Sequence, residues 1–576
     1  MTTTMTTTPT TDAGSRSADH KTVGTLFIAV ALVFLVVTGV LALILRAQLT
    51  GPDTDVVSRS TYRQLFTLHG VFGVFLFLAP AWIGLGTAMV PLQIGASRLA
   101  FPRLQAFSLW VLVVGAAAIV TSPFADGATV VNGWALNTPL AEGRGFRGDA
   151  LDLLILGLIT VGVALLIAAV NLIVTIVKFR TPGLTQRRSP AFTWSMFMSS
   201  AVLLLALPVI LGALGMLFVD RHYGGRIFNG FTGSGGGNPA MWPRVFWFGA
   251  YPLLWALLLP ALGVITEIVA VFSRRRLFDH GRALAALAAI GVLAFAGWGS
   301  QLSGLGDIRY AFAVGGLLVL LPAASLVLNW LATLGTALAA SRSPRGGAST
   351  AQPDLRAVPM LHALGAITVV GVGLLGAAIL AVRAGTGTQR TYWAVATQHT
   401  LYFGTATFAI VAAIHYWAPK LWGRHLGAGL GRLQFLLLLV GTHLAFLPMY
   451  VLGLQHMHIH LAAYPADRGW EPANIASSIG AALLGLAVLI LIANIVISIV
   501  LQHGRKADDN PWDGHTLEWA TASPPPLHNF HSIPEVRSET PLLDLAAAGI
   551  APVTSAPEPE APSKPDSAPT PAGVSG

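Results

Sequence analysis

A chain of 576 residues, 54% hydrophobic and 10% charged, with a mean hydropathy of +0.68, lies outside the range of soluble globular domains. Its net charge of +9 does not mark a nucleic-acid groove. The basic residues stand mainly in short loops between apolar runs, as in Lys178, Arg180, Arg187 and Arg188 or the triplet Arg274, Arg275 and Arg276, which is the pattern of a polytopic membrane protein in a lipid bilayer. The absence of cysteine excludes disulfides, cysteine-ligated iron-sulfur or dinuclear copper sites, and covalent c-type haem attachment within the chain.

Residues 1–22 form a polar, Thr-rich tail without a secretory signal, and the first apolar run is too long for one. Runs of apolar residues then predict an all-α bundle of twelve transmembrane helices over 23–502. They lie near 24–46, 68–93, 104–122, 152–178, 193–219, 243–272, 283–303, 308–335, 359–382, 395–418, 434–453 and 473–501. At ~1.5 Å per residue each is long enough for a ~30 Å hydrocarbon layer. The even count and the basic loops place both termini in the cytoplasm, with the long 123–151 and 220–242 loops outside; the expected location is a bacterial cytoplasmic membrane. Residues 503–538 form a tail, and 539–576 a Pro/Ala-rich tail expected to be disordered, because it carries too little apolar area to offset ordering entropy.

Ionisable groups at membrane depth are costly and are functional candidates by default. Five histidines fall inside predicted helices: His69, His362, His399, His415 and His443. His69, in TLHGVFGVFLFL, and His399, in WAVATQHTLYFG, each lie about one turn inside a helix that enters from the outer side. Two imidazoles at matching depth on different helices can ligate one haem iron axially, and Gly70, Gly73 and Gly404 would let a flat macrocycle approach the backbones. Interhelical hydrogen bonds are the alternative. His362 and His415 fall near inner helix ends, where packing roles are expected, and His443 is ambiguous.

The segments LHGVFGVFLFLAP, VPLQIGASRLAFPRLQAFSLWV, NLIVTIVKFRTPG, LFVDRHYGG, GGGNPAMWPRVFWF, LNWLATL, FAIVAAIHYWAPKLWGR, ASSIG and NPWDGHTLEWATASPPPLHNFHSIP follow one another in this order. In that order they resemble subunit I of the haem-copper oxidase superfamily, the cytochrome c oxidase catalytic subunit, over roughly residues 24–538. The resemblance implies a twelve-helix bundle and puts His69 and His399 at the axial positions of a low-spin haem, of a or b type. Arg46 and Trp134 match positions near the family's haem groups.

The same resemblance locates what this chain lacks. Where the family has a copper-binding histidine, a relay glutamate and a cross-linked tyrosine, helix six carries Tyr251, Leu253 and Trp255. Ser300 and Gln301 replace the adjacent histidine pair of helix seven, and Thr397 replaces the proximal histidine of the oxygen-binding haem. Neutral Ser, Thr and Gln oxygens are poor ligands for copper or haem iron, so no copper and no catalytic residue are predicted. The family's proton-entry aspartate is Arg98, an asparagine upstream of it is Thr87, the lysine of the second channel is Leu326, and the outer His-Asp pair that commonly binds magnesium is Gln389 and Arg390.

His456, His458 and His460 lie between helices eleven and twelve, with Ile459 and His460 at the family's propionate-holding arginine pair. A propionate contact by His460, a solvated loop, or a metal site with nearby Asp467 are the readings open. For the whole chain the leading expectation is a respiratory-complex subunit that carries single electrons on one low-spin haem. Its partners would be other subunits, such as a subunit II-like or cytochrome electron donor, or a quinone. A terminal oxidase with unusual ligands and a haem-free structural subunit are the alternatives.

Overall fold

The computed structural model describes residues 18–126, 133–136, 148–228, 236–302, 306–342, 352–384 and 386–550. The disorder expected for 551–576 and most of the 1–22 tail lie outside the described residues. Among the described residues, eleven helices are long and apolar enough to cross a membrane: α1 (His20–Gln48), α2 (Arg59–Gln93), α3 (Pro102–Phe124), α4 (Asp149–Lys178), α5 (Ala191–His222), α6 (Met241–Phe272), α8 (Arg309–Arg342), α9 (Val358–Val382), α10 (Tyr392–Trp422), α11 (Ala428–Leu454) and α12 (Glu471–Val500). Between α6 and α8 the shorter α7 spans His280–Leu293.

The predicted helix at 283–303 therefore stops ten residues early. Beyond it, residues 294–302 fold back between α6 and α8: a Cβ on Gly297 would sit 2.8 Å from Tyr251 Oη, and one on Gly299 would collide with the Phe312 ring. Fourteen helical residues span roughly 21 Å, short of a ~30 Å core. Residues 541–547, assigned by composition to the disordered tail, form a further helix, α13 (Pro541–Ala547). Arg276 holds it by pairing with Glu539 at 3.0 Å and Asp544 at 2.5 Å, partners that composition does not reveal.

Three helices are inner. In their most apolar stretches α2 and α6 are 94% buried and α10 83%, against 22–56% for the other long helices. The outer helices turn large apolar side chains such as Leu205, Leu328 and Leu375 outward, as lipid contact requires. Close crossings depend on absent side chains: a Cβ on Gly24 of α1 would lie 2.6 Å from the Gly84 carbonyl of α2, and Gly480 of α12 meets the Ala445 backbone of α11 in the same way. The chain thus buries α2, α6 and α10, which carry His69, Tyr251 to Trp255, and Thr397 to His399.

The tail packs across one end of the bundle. Lys420 Nζ of α10 donates to the carbonyls of Asp509 at 2.9 Å, Thr521 at 2.5 Å and Ala522 at 3.2 Å. His20 at the start of α1 reaches the Asn529 side chain and the Thr87 carbonyl, so the beginning of the bundle and the tail meet at the same end.

Candidate functional site

α2 begins at Arg59, capped by Ser58, whose Oγ accepts from the Thr61 N–H at 3.2 Å. His69 therefore sits about three turns inside its helix, and His399 about two turns inside α10, deeper than the sequence placed them. Both helices change winding at these residues. π-helical turns run over Phe72–Leu78, starting three residues after His69, and over His399–Gly404, an irregularity frequent at functional sites that hydropathy alone does not signal.

The two imidazoles face one another with ring centroids 6.1 Å apart and planes within 6°. Each is held through Nδ1. That of His69 lies 3.0 Å from both the Thr38 carbonyl and Thr38 Oγ1, and that of His399 2.8 Å from the Val395 carbonyl. A carbonyl accepts only an N–H, so both rings carry the proton on Nδ1, and Nε2 is the free, lone-pair nitrogen. The His399 ring also packs against Phe446 at 4.7 Å and Phe403 at 5.5 Å.

These rings line a cavity of ≈ 270 Å³. Its wall is apolar apart from a few groups, among them Arg46, Thr38 and Tyr62. A Cβ on Gly39 would touch nothing within 4 Å, and one on Gly73 only Thr38 Oγ1 at 3.7 Å, so these two glycines leave space along the wall. Gly70 and Gly404 serve another purpose: their missing Cβ atoms make room for Trp134 and for the His399 carbonyl. All three glycines expected beside a macrocycle, Gly70, Gly73 and Gly404, line the cavity together with Gly39, and of these Gly73 and Gly39 border open space.

Arg46 is 7% exposed. One of its nitrogens, Nη2, bonds the Asn474 carbonyl at 2.8 Å, Asn474 Oδ1 at 2.9 Å and Ser478 Oγ at 3.3 Å, while Nε and Nη1 are buried with no partner among the described residues. Two uncompensated guanidinium donors in a cavity wall call for an anionic or carbonyl acceptor. Trp134 lines the same cavity and packs edge-on against Phe246 at 5.5 Å and Trp247 at 5.6 Å.

His460 does not line the cavity. It stands one layer out, 5.3 Å from Phe66, and burial beside Arg63 and His458 lowers its pKa, favouring the neutral ring. His456 adopts φ +60° and His458 bridges to Thr391. Among the described residues no three His, Asp or Glu side chains converge as metal ligands.

The positions implied for oxygen chemistry pack differently. Trp255 of α6 is fully buried, edge-on to Tyr402 of α10 at 5.4 Å and 89°. Thr397 Oγ1 donates to its own helix at the Trp393 carbonyl, 2.9 Å. α9 presses on α10 here: a Cβ on Gly373 would lie 2.5 Å from the Leu401 backbone, and one on Gly376 would lie 2.8 Å from Thr397 Oγ1 and collide with Tyr450 Oη. Ser300 and Gln301 contact each other at 3.4 Å in a short 3₁₀ turn beyond α7. Leu253 and Leu326 are buried and Arg98 is exposed.

His362 and His415, separated in the sequence, stack at 5.4 Å; His362 Nε2 is bonded by Gln434 Oε1 at 2.6 Å. His443 Nδ1 donates to the Leu439 carbonyl at 2.9 Å. The residues that sequence reading missed are Thr38, Gly39, Phe446 and Asn474. A threonine followed by glycine in the otherwise apolar LVVTGVLAL of α1 was the available signal for the first two.

The family model described as cytochrome C and quinol oxidase polypeptide I matches residues 22–483. A cytochrome c oxidase subunit 1 of Bacillus subtilis is 34% identical over 530 residues, covering 91% of this chain and 82% of its own. That of Corynebacterium diphtheriae is 34% identical over 533 residues, covering 92% and 91%. A heme-copper terminal oxidase dimer solved by cryo-EM shares the fold at a TM-score of 0.68 and 16% identity, covering 92% of this chain and 88% of that one.

Proposed function

This chain belongs to the cytochrome c and quinol oxidase polypeptide I family, and we propose that it is a membrane subunit of a respiratory electron-transfer complex that binds one low-spin haem and does not reduce oxygen at a haem-copper centre. One observation carries the reading: the facing imidazoles of His69 and His399, 6.1 Å apart with planes within 6° of parallel, open onto an apolar cavity.

The residues present fit a haem there. His69 and His399 would hold its iron through Nε2, each ring oriented by a carbonyl on Nδ1. Arg46 would offer its unpartnered Nε and Nη1 to a polar or anionic substituent. Gly39 and Gly73 would leave room for the ring, and the apolar wall would exclude water. When bound, such a group would supply a one-electron couple.

The residues do not fit a second haem or copper. Ser300, Gln301 and Thr397 are weak donors bonded elsewhere, and α9 and α10 are in backbone contact beside Thr397. No proton relay can pass through Leu253 or Leu326, which are buried and carry no exchangeable proton. We place both termini on the cytoplasmic side, a reading supported by the meeting of His20 with Asn529 at the end that carries Arg274 and Arg276. A subunit II-like or cytochrome partner would exchange electrons at the opposite end, near Trp134.

A second reading, a working oxidase with unusual ligands, draws support from 34% identity to oxidase subunits over nine-tenths of the chain. Purification with co-purifying subunits, assay of haem and copper per chain, and oxygen uptake with a reduced donor separate them. One haem, no copper and no uptake is the expected result. Two haems with copper and turnover would overturn it, and a haem-free preparation would leave the paired histidines as hydrogen-bonding groups.

A further inference from the structure

We propose that Glu267 of α6 and Glu518 of the tail form a carboxyl pair that holds one proton, and that this proton locks the tail onto the bundle. Both side chains are buried, Glu518 completely. They meet at one amide. Gln93 Nε2 donates to Glu267 Oε2 at 2.8 Å and to Glu518 Oε1 at 3.1 Å, which keeps those oxygens within about 6 Å of each other. The amide is fixed in this sense because Gln93 Oε1 accepts the Thr193 hydroxyl at 2.7 Å.

The supply of donors is uneven. Glu267 receives the Phe192 backbone N–H on Oε1 at 2.7 Å as well as Gln93 on Oε2. Glu518 receives Gln93 and a long 3.4 Å contact from Trp417 Nε1, both on Oε1, with the Thr516 hydroxyl and its own backbone N–H as further donors. Its Oε2 has no partner. An ionised oxygen left bare in that position beside a second carboxylate is far more costly than a neutral hydroxyl, so the pair keeps one proton.

No cation pairs directly with either carboxyl. Lys420 is near enough to interact electrostatically with Glu518, but its Nζ is committed to three tail carbonyls, Arg274 to Asp513, and Arg276 to Glu539 and Asp544. Tyr416, the other α10 group near the pair, donates no hydrogen bond to either carboxyl and accepts from Trp519 Nε1 at 2.9 Å. A cavity of ≈ 40 Å³ reaches Glu267 from the side of His280, His515 and Glu539. Glu539 is partly exposed, which gives the proton a route to solvent.

The lock follows from position. Glu518 lies in the 3₁₀ turn Leu517–Ala520, whose four residues are all buried against the bundle. Burial raises the Glu518 pKa. An acid whose folded pKa is raised stabilises the docked tail where it is protonated, and that contribution is lost as pH rises from the ordinary carboxylate range towards the raised value. His515, at about 4, is neutral throughout the range used below.

The test uses the full chain in lipid nanodiscs. Infrared spectroscopy between about pH 6 and 8 should show a protonated buried carboxyl that is lost in Glu518→Gln. Hydrogen exchange of residues 509–522, corrected for intrinsic rates, should show opening that rises by up to about tenfold per pH unit in the wild type and is pH-independent in Glu518→Gln. Absence of the carboxyl band in the wild type, or pH-independent opening there, overturns the proposal whether or not the variant folds. Survival of both signals in a folded Glu518→Gln variant overturns it as well.

Discussion

Replacing His399 with alanine separates a ligand from a packing residue. The substitution removes the Nδ1 bond to the Val395 carbonyl, 2.8 Å, and the ring contacts to Phe446 and Phe403. A lost hydrogen bond of this kind costs about 1 kcal/mol. The vacated volume joins an existing cavity of ≈ 270 Å³ and opens no new closed void, so the usual cavity penalty is mostly absent and the total stays near 1–2 kcal/mol. That is small against a folding stability of about 5–15 kcal/mol, so the variant should fold, and a spectral change cannot be ascribed to unfolding. Haem per chain, with optical and paramagnetic resonance spectra, is the assay: His399→Ala should lose the low-spin signal. His415→Ala is the control, since His415 also stacks on a histidine at 5.4 Å, but that partner's Nε2 is taken by Gln434; its spectrum should match the wild type. An unchanged low-spin spectrum in His399→Ala would refute the ligand assignment.

Gly39→Leu should place a side chain in the open space beside the cavity and lower haem content while leaving the yield of folded protein unchanged; full haem occupancy would count against Gly39 as part of the cradle. Lys420→Met should strip donors from the Asp509, Thr521 and Ala522 carbonyls. At about 1 kcal/mol or more per orphaned buried group it should expose the tail after residue 505 to limited proteolysis, and wild-type resistance would contradict the anchoring role. Burial near Arg274 and Arg276 lowers the His515 pKa to about 4. A histidine with a depressed folded pKa stabilises the docked tail fully above its unfolded value, near 6.5, and loses that contribution as pH falls towards 4, roughly 3 kcal/mol in all. In a Glu518→Gln background, where the opposing carboxyl contribution is absent, hydrogen exchange at the tail should therefore rise with acid in that window and lose this component on adding His515→Asn.

The membrane bundle was legible because burial in lipid imposes one strong rule, long apolar runs with basic loops, and the runs around His69 and His399 obey it. Where the rule weakens the reading failed. The 283–303 run is apolar as far as Gly299, yet Gly297 and Gly299 let it fold back against α6 and α8. α13 sits in a tail of disordered composition and is held by Arg276.

The same division runs through the site. Sequence determined which side chains are present: two histidines on inner helices, an arginine on α1, and no imidazole at positions 251, 300, 301 or 397. Tertiary structure decided that the two imidazoles lie parallel, that Arg46 keeps two donors free, that Gly39 joins the cavity wall, and that His460 stands behind Phe66. It also brought Glu267 and Glu518, 251 positions apart, to one amide of Gln93. Composition and periodicity record how each segment partitions between lipid and water. Which polar atoms are left without partners depends on contacts between segments distant in the chain, and those exist only once the helices are packed.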